Sequence, residues 1–87
     1  MASSNELISK AVRVRMLRLG LDQKTLAKNM GISTSSLSHY LSNKIGWQVS
    51  VLDKLLAPLE WDSLADIFTA ANDENNVISL LPPNHTT

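Results

Sequence analysis

At 87 residues and without a cysteine, the chain has room for one hydrophobic core and lacks the disulfides or cysteine-ligated zinc that stabilise many smaller folds. Its 44% hydrophobic content includes only four aromatic residues, Tyr40, Trp47, Trp61 and Phe68, which predicts an aliphatic core of packed helices rather than a sandwich of strands. The formal net charge of zero hides an asymmetry: residues 1–46 carry seven Lys and Arg against two carboxylates, a net +5, and residues 47–87 carry one Lys against six carboxylates, a net −5.

Ile8, Val12, Met16 and Leu19 recur at helical spacing with Ser9, Lys10 and Arg13 between them, predicting a first helix over about residues 5–19 that stops at Gly20. Asp22 is a suitable N-cap for a second helix whose apolar face is Leu26, Ala27 and Met30, and Gly31 ends it after about two turns. Ile32 plugs inward, and Ser33 caps a third helix from Thr34 to about Ser42 that buries Leu37 and either Tyr40 or Leu41. A loop through Asn43, Lys44, Ile45 and Gly46 follows. Ser50 is read as the cap of a fourth helix carrying Val51, Leu52, Leu55, Leu56 and Leu59, which ends or tightens at Ala57 before Pro58. Trp61 is assigned to the core, and Asp62 to the cap of a fifth helix with Leu64, Ile67, Phe68 and Ala71 on one side. From Asn72 the composition turns to Asn, Asp and Glu and then to Pro82 and Pro83, which predicts a disordered or extended tail.

The same residues disfavour several kinds of chemistry. His39 and His85 lie 46 positions apart with no carboxylates at ligand spacing, so a metal site is not expected. Gly20, Gly31 and Gly46 are too widely separated to cradle a phosphate in the manner of nucleotide-binding loops. None of the eleven serines has a matching His and carboxylate set, which leaves an enzyme as a remote third choice; no cofactor is expected. The chain lacks both a bilayer-length apolar run and a basic start followed by an apolar stretch, so it is expected to stay in the cytoplasm.

Residues 23–42 are the most specific constellation. Two helices joined by a short turn at a steep angle need a small residue at the crossing, here Ala27, and a glycine at the turn, here Gly31. Leu26, Met30, Ile32 and Leu37 supply the buried contacts that fix the angle. The run from Leu21 to Lys44, LDQKTLAKNMGISTSSLSHYLSNK, resembles the Cro/C1-type helix-turn-helix of phage repressors and related bacterial regulators, and the resemblance extends over roughly residues 7–71. It implies an all-α fold, a compact five-helix bundle of the lambda repressor-like type. The corresponding organisation is a DNA-binding domain over 1–72 and a flexible C-terminal tail over 73–87.

Mapped residue by residue, the resemblance implies that Thr34, Ser35 and His39 read base edges from the third helix, and Ser38 joins them by its place on the same face. It gives phosphate contacts to Gln23, Ser42, Asn43 and Lys44, with Lys24 beside Gln23 and Arg13 of the basic first helix added to that set. These four readers are short or polar enough for a major groove, yet they include no Arg, Asn or Gln for bidentate base recognition, so DNA shape is expected to contribute to specificity. Arg13, Arg15 and Arg18 also have a plain reading as a solvated face. Leu64, Ile67 and Phe68 form a candidate homodimer surface, with core packing the more ordinary reading of the three. Two departures stand out. Met16 and Leu41 occupy positions where many relatives pair an Arg with a Glu, and the Ile45–Ser50 loop is one residue longer than the common pattern, so no contact is carried over to Trp47 or Gln48. The implied function is a sequence-specific double-stranded DNA-binding transcriptional regulator, a phage-like repressor or Cro-type switch protein. The alternative is an antitoxin-like or antirepressor-like interaction module that binds a protein through its acidic half.

Overall fold

Four of the helix starts and stops follow directly from local chemistry. A computed structural model describes the backbone of residues 3–80 and the side chains of residues 3–74. In chain order the elements are α1 (Ser4–Leu19), α2 (Gln23–Met30), α3 (Thr34–Leu41), α4 (Val49–Leu55) and α5 (Leu64–Leu80), with no strand among the described residues. The Asp22 carboxylate accepts from the Thr25 amide at 2.7 Å to open α2, and the Ser33 hydroxyl accepts from the Ser36 amide at 3.0 Å to open α3. Gly20 and Gly31 close α1 and α2 at φ of +68° and +75°, a left-handed conformation that only glycine adopts at little cost.

The same closing turn recurs four times. Leu21 donates its amide to the Met16 carbonyl, Ile32 to Ala27, Lys44 to His39 and Trp61 to Leu56, each across a residue with positive φ. At the last two turns that residue is Asn43 (φ +65°) or Glu60 (φ +59°) instead of glycine. In three of the turns an apolar side chain, Leu21, Ile32 or Trp61, follows the left-handed residue and packs back on the core. Lys44 is the exception.

α1 runs along α5 and also packs on α3; α2 packs on α3, and α4 on α5. Val12, Leu26, Leu37, Leu55, Leu59 and Ile67 are the largest wholly enclosed side chains, one or more from every helix or the turn after it. Tyr40 is half-buried and Leu41 fully so, which settles the third helix's inner face on Leu37 and Leu41. Met16 and Leu41 both lie in this core, so apolar packing stands where an ion pair was the comparison.

The second half departs from expectation in several places. α4 begins at Val49 with Gln48 in the cap position and no side-chain cap bond, so Ser50 lies inside the helix and caps nothing. It ends at Leu55, and the chain turns through Ala57 and Pro58 with Leu59 still enclosed. Asp62 does not cap α5 with its side chain; the Asp66 carboxylate reaches back to accept from the amides of Asp62 (2.8 Å) and Ser63 (3.3 Å). α5 then continues past Asn72 to Leu80, because the stretch contains neither Gly nor Pro before Pro82, and polarity alone does not stop a helix already docked through its first two turns. The part of the expected tail from residue 81 onward lies outside the described residues. Trp61 is half-buried with the Arg15 guanidinium 5.7 Å from its ring centroid, and Phe68 is 50% exposed. No helix among the described residues is long and apolar enough to cross a membrane.

Candidate nucleic-acid interface

α3 presents a short polar surface beside the buried Leu37 and Leu41. Thr34, Ser35 and Ser38 are exposed and their side chains make no hydrogen bond among the described residues, so their donors and acceptors are open to a ligand. His39 borders the fold as a half-buried residue. Its carbonyl accepts from the amides of Lys44 (2.9 Å) and Ile45 (3.3 Å) and from the Ser42 hydroxyl (3.3 Å), which turns the chain back sharply after α3.

The residues assigned to phosphates fall into two groups. Gln23 and Lys24 are the first two residues of α2, where backbone amides have no intrahelical acceptor and the helix dipole is positive. Gln23 shares a shallow cleft of about 160 Å³ with Arg13, Met16, Leu17, Leu21 and Leu41. Arg13 itself donates to the Leu41 carbonyl at 3.1 Å, which places a cation at the C-terminal end of α3 and links the two groups. Ser42, Asn43 and Lys44 are exposed in the closing turn of that helix. Asn43 is partly committed inward, its Oδ1 accepting from the Ser9 hydroxyl at 2.7 Å.

Two assignments change on this geometry. Arg15 is engaged, with Nε donating to the Leu59 carbonyl at 2.8 Å and Nη2 to the Glu60 carbonyl at 3.2 Å, so it secures the turn before α5. Ile67 is 0% exposed and offers nothing to a second copy; of the candidate dimer residues, Leu64 is half-buried and only Phe68 presents a large apolar surface. The burial of Ile67 follows from its place on the α5 face that packs on the core, about 100° around the helix from Phe68. The residues missed in the sequence are Asn5, Ser9 and Trp47. Ser9 is 2% exposed, not solvated between apolar neighbours as its flanks suggested. Asn5, Ser9, Val12 and Met16 follow at spacings of four, three and four, and polar residues on such an inward stripe are the signal that would have found it.

The start of α2 carries a pH dependence of defined sign. The Asp22 carboxyl is held below its ordinary value of 3.8, chiefly by the Thr25 amide, then by the Thr25 hydroxyl and Lys24. A depressed folded-state value means that the cap's ionic contribution is complete above the unfolded value and disappears as pH falls through the folded one. Asp22→Asn retains a capping oxygen but removes the titration. Thermal unfolding followed between about pH 2 and 5 therefore shows a step in the wild type that is smaller in Asp22→Asn; equal curves would deny Asp22 this role.

The family model for helix-turn-helix domains matches residues 12–60. Two crystal structures of the clp gene regulator ClgR from Corynebacterium glutamicum share the fold. One superposes with a TM-score of 0.76 at 20% identity over 85% of this chain and 95% of that one. The other does so with a TM-score of 0.79 at 19% identity over 90% of this chain and 82% of that one. Among curated proteins, none matches the sequence.

Proposed function

Because the chain belongs to the Cro/C1-type helix-turn-helix family and is a DNA-binding transcriptional regulator, we propose that it acts as a phage-like repressor or Cro-type switch protein. In this reading it occupies an operator and excludes polymerase. α3 enters the major groove, Thr34, Ser35, Ser38 and His39 read base edges, and Gln23, Lys24, Arg13, Ser42 and Lys44 hold phosphates on either side. The observation that carries the proposal is the uncommitted polar stripe of α3, flanked by the α2 N-terminus on one side and the closing turn with Lys44 on the other. Exposed hydroxyls flanked by groups able to bind phosphate are an arrangement that groove recognition uses. Phe68, which lines an apolar cleft with Leu7, Ile8 and Ala71, is the residue through which a homodimer would form. Such a dimer places two recognition helices on an inverted repeat with half-site centres about 10 base pairs apart.

The test is binding to the DNA upstream of the protein's own coding sequence over a range of salt. With about three to five phosphates contacted per protomer, affinity falls about 40- to 500-fold between 50 and 200 mM salt. Affinity unchanged over that range would overturn the reading and favour a protein partner for the acidic half instead.

A further inference from the structure

We infer that Ser9 is a positioning residue for DNA binding, holding the loop after α3 from beneath so that Ser42 and Lys44 meet phosphate at a fixed place. The inference rests on the reading of that loop as a phosphate contact. Ser9 is the one buried polar residue among those described, and it lies on the inward stripe of α1, where an unpartnered hydroxyl is costly. Its Oγ meets groups from three separate positions. The single hydroxyl hydrogen is shared between the Tyr40 carbonyl (3.0 Å) and Asn43 Oδ1 (2.7 Å), while a lone pair accepts from the Trp47 indole Nε1 (2.9 Å).

One turn earlier on α1, Asn5 Oδ1 accepts from the Trp47 amide at 3.0 Å. Its amide nitrogen also lies 3.1 Å from where a Cβ on Gly46 would be, so a side chain there would push against it. The Trp47 ring stacks on Tyr40 with centroids 5.1 Å apart and planes 22° from parallel. Both ends of the 43–47 loop are thus tied to α1 and to the last turn of α3.

The comparison among the four closing turns explains why such a tie is needed. In three of them an apolar residue anchors the chain after the left-handed position, but here that residue is Lys44, whose ammonium must stay in solvent. Ser9 and Asn5 supply from α1, through Trp47 of the loop, the anchorage that Leu21, Ile32 and Trp61 give elsewhere. Since the loop contacts backbone and not bases, loosening it lowers affinity for all sequences alike.

The experiment measures Ser9→Ala, Trp47→Phe and Lys44→Ala against wild type. Each binds a random-sequence duplex and an operator duplex selected from a random pool, at several salt concentrations and well below the melting temperature. Ser9→Ala is expected to weaken both duplexes by the same factor, about tenfold, and to reduce the salt slope by about one. Trp47→Phe, which keeps a ring to stack on Tyr40 but loses the indole donor, should do the same in kind. In a Trp61→Phe background the remaining Trp47 emission should shift to the red when Ser9 is Ala, because the loosened loop exposes the indole to water.

Wild-type affinity and slope in folded Ser9→Ala, or a loss confined to the operator, would overturn the inference. If Ser9→Ala does not fold, Trp47→Phe decides by the same criteria. Weakening by Lys44→Ala with no effect of Ser9→Ala leaves the DNA reading standing and removes only the role of Ser9. Wild-type protein that binds neither duplex removes both.

Discussion

Met16→Arg alone destabilises the domain by about 3–5 kcal/mol, because it places a charge without a partner among apolar neighbours, and Leu41→Glu alone by less, because the Arg13 guanidinium that donates to the Leu41 carbonyl lies beside the new carboxylate. Met16 is 7% and Leu41 2% exposed, so each new side chain has to displace packed neighbours at the α1–α3 contact. A domain of this length is stable by about 4–13 kcal/mol in total, so Met16→Arg alone sits near the edge of unfolding. The double variant recreates the ion pair of the commoner family pattern, and its cost falls short of the two single costs by about 2–3 kcal/mol. Urea unfolding of the four proteins gives the coupling. Additive costs would mean that the two positions do not face each other, and the residue-by-residue match to the family would be wrong in α1 or α3.

The second large effect is on affinity. Ser35→Ala and His39→Ala lower operator affinity by about 1–3 kcal/mol, roughly 5- to 150-fold, and leave random DNA nearly unaffected. Gln23→Ala and Lys44→Ala lower both affinities by similar factors, since phosphates carry little sequence information. Exposed Ser35 makes no hydrogen bond within the described fold, so its variant should melt as the wild type does; His39 is half-buried, and its melting temperature is the control that its affinity needs. Titrations of both duplexes at one salt concentration make the comparison. An equal loss on both duplexes for Ser35→Ala and His39→Ala would show that α3 does not do the reading.

What could be read from the sequence was what a residue type decides locally. Gly20 and Gly31 stop helices because of their own backbone freedom, and Asp22 and Ser33 start them with their own oxygens. Ser50 misleads as the start of α4 because Gln48 takes the cap position without contributing a side-chain bond, leaving no local mark. Asn43 takes the left-handed backbone that asparagine tolerates locally, whereas Glu60 takes it beneath the Arg15 guanidinium, which donates to its carbonyl. That partner is not near in sequence. The same holds for the proposed interface: the short polar residues of α3 are plain in the sequence, but the contacts beneath the loop that follows them are not, since Ser9 and Trp47 meet across 38 positions. The length of α5 is hidden for a different reason: an asparagine-rich composition reads as disorder although nothing in it before Pro82 breaks a helix.

Thr34, Ser35 and Ser38 owe nothing to the cohesion of the bundle, and the bundle owes nothing to them. On the proposed reading, recognition and folding are therefore written in separate alphabets within one eight-residue helix, the first in its exposed hydroxyls and the second in Leu37, Leu41 and the Ser33 cap. Such a separation lets the outer letters drift, or be rewritten by an engineer, without a compensating change underneath. A scaffold of this kind can be re-addressed to a new DNA sequence in a few substitutions, provided that the new side chains stay within reach of the groove and His39, which touches both alphabets, is changed last.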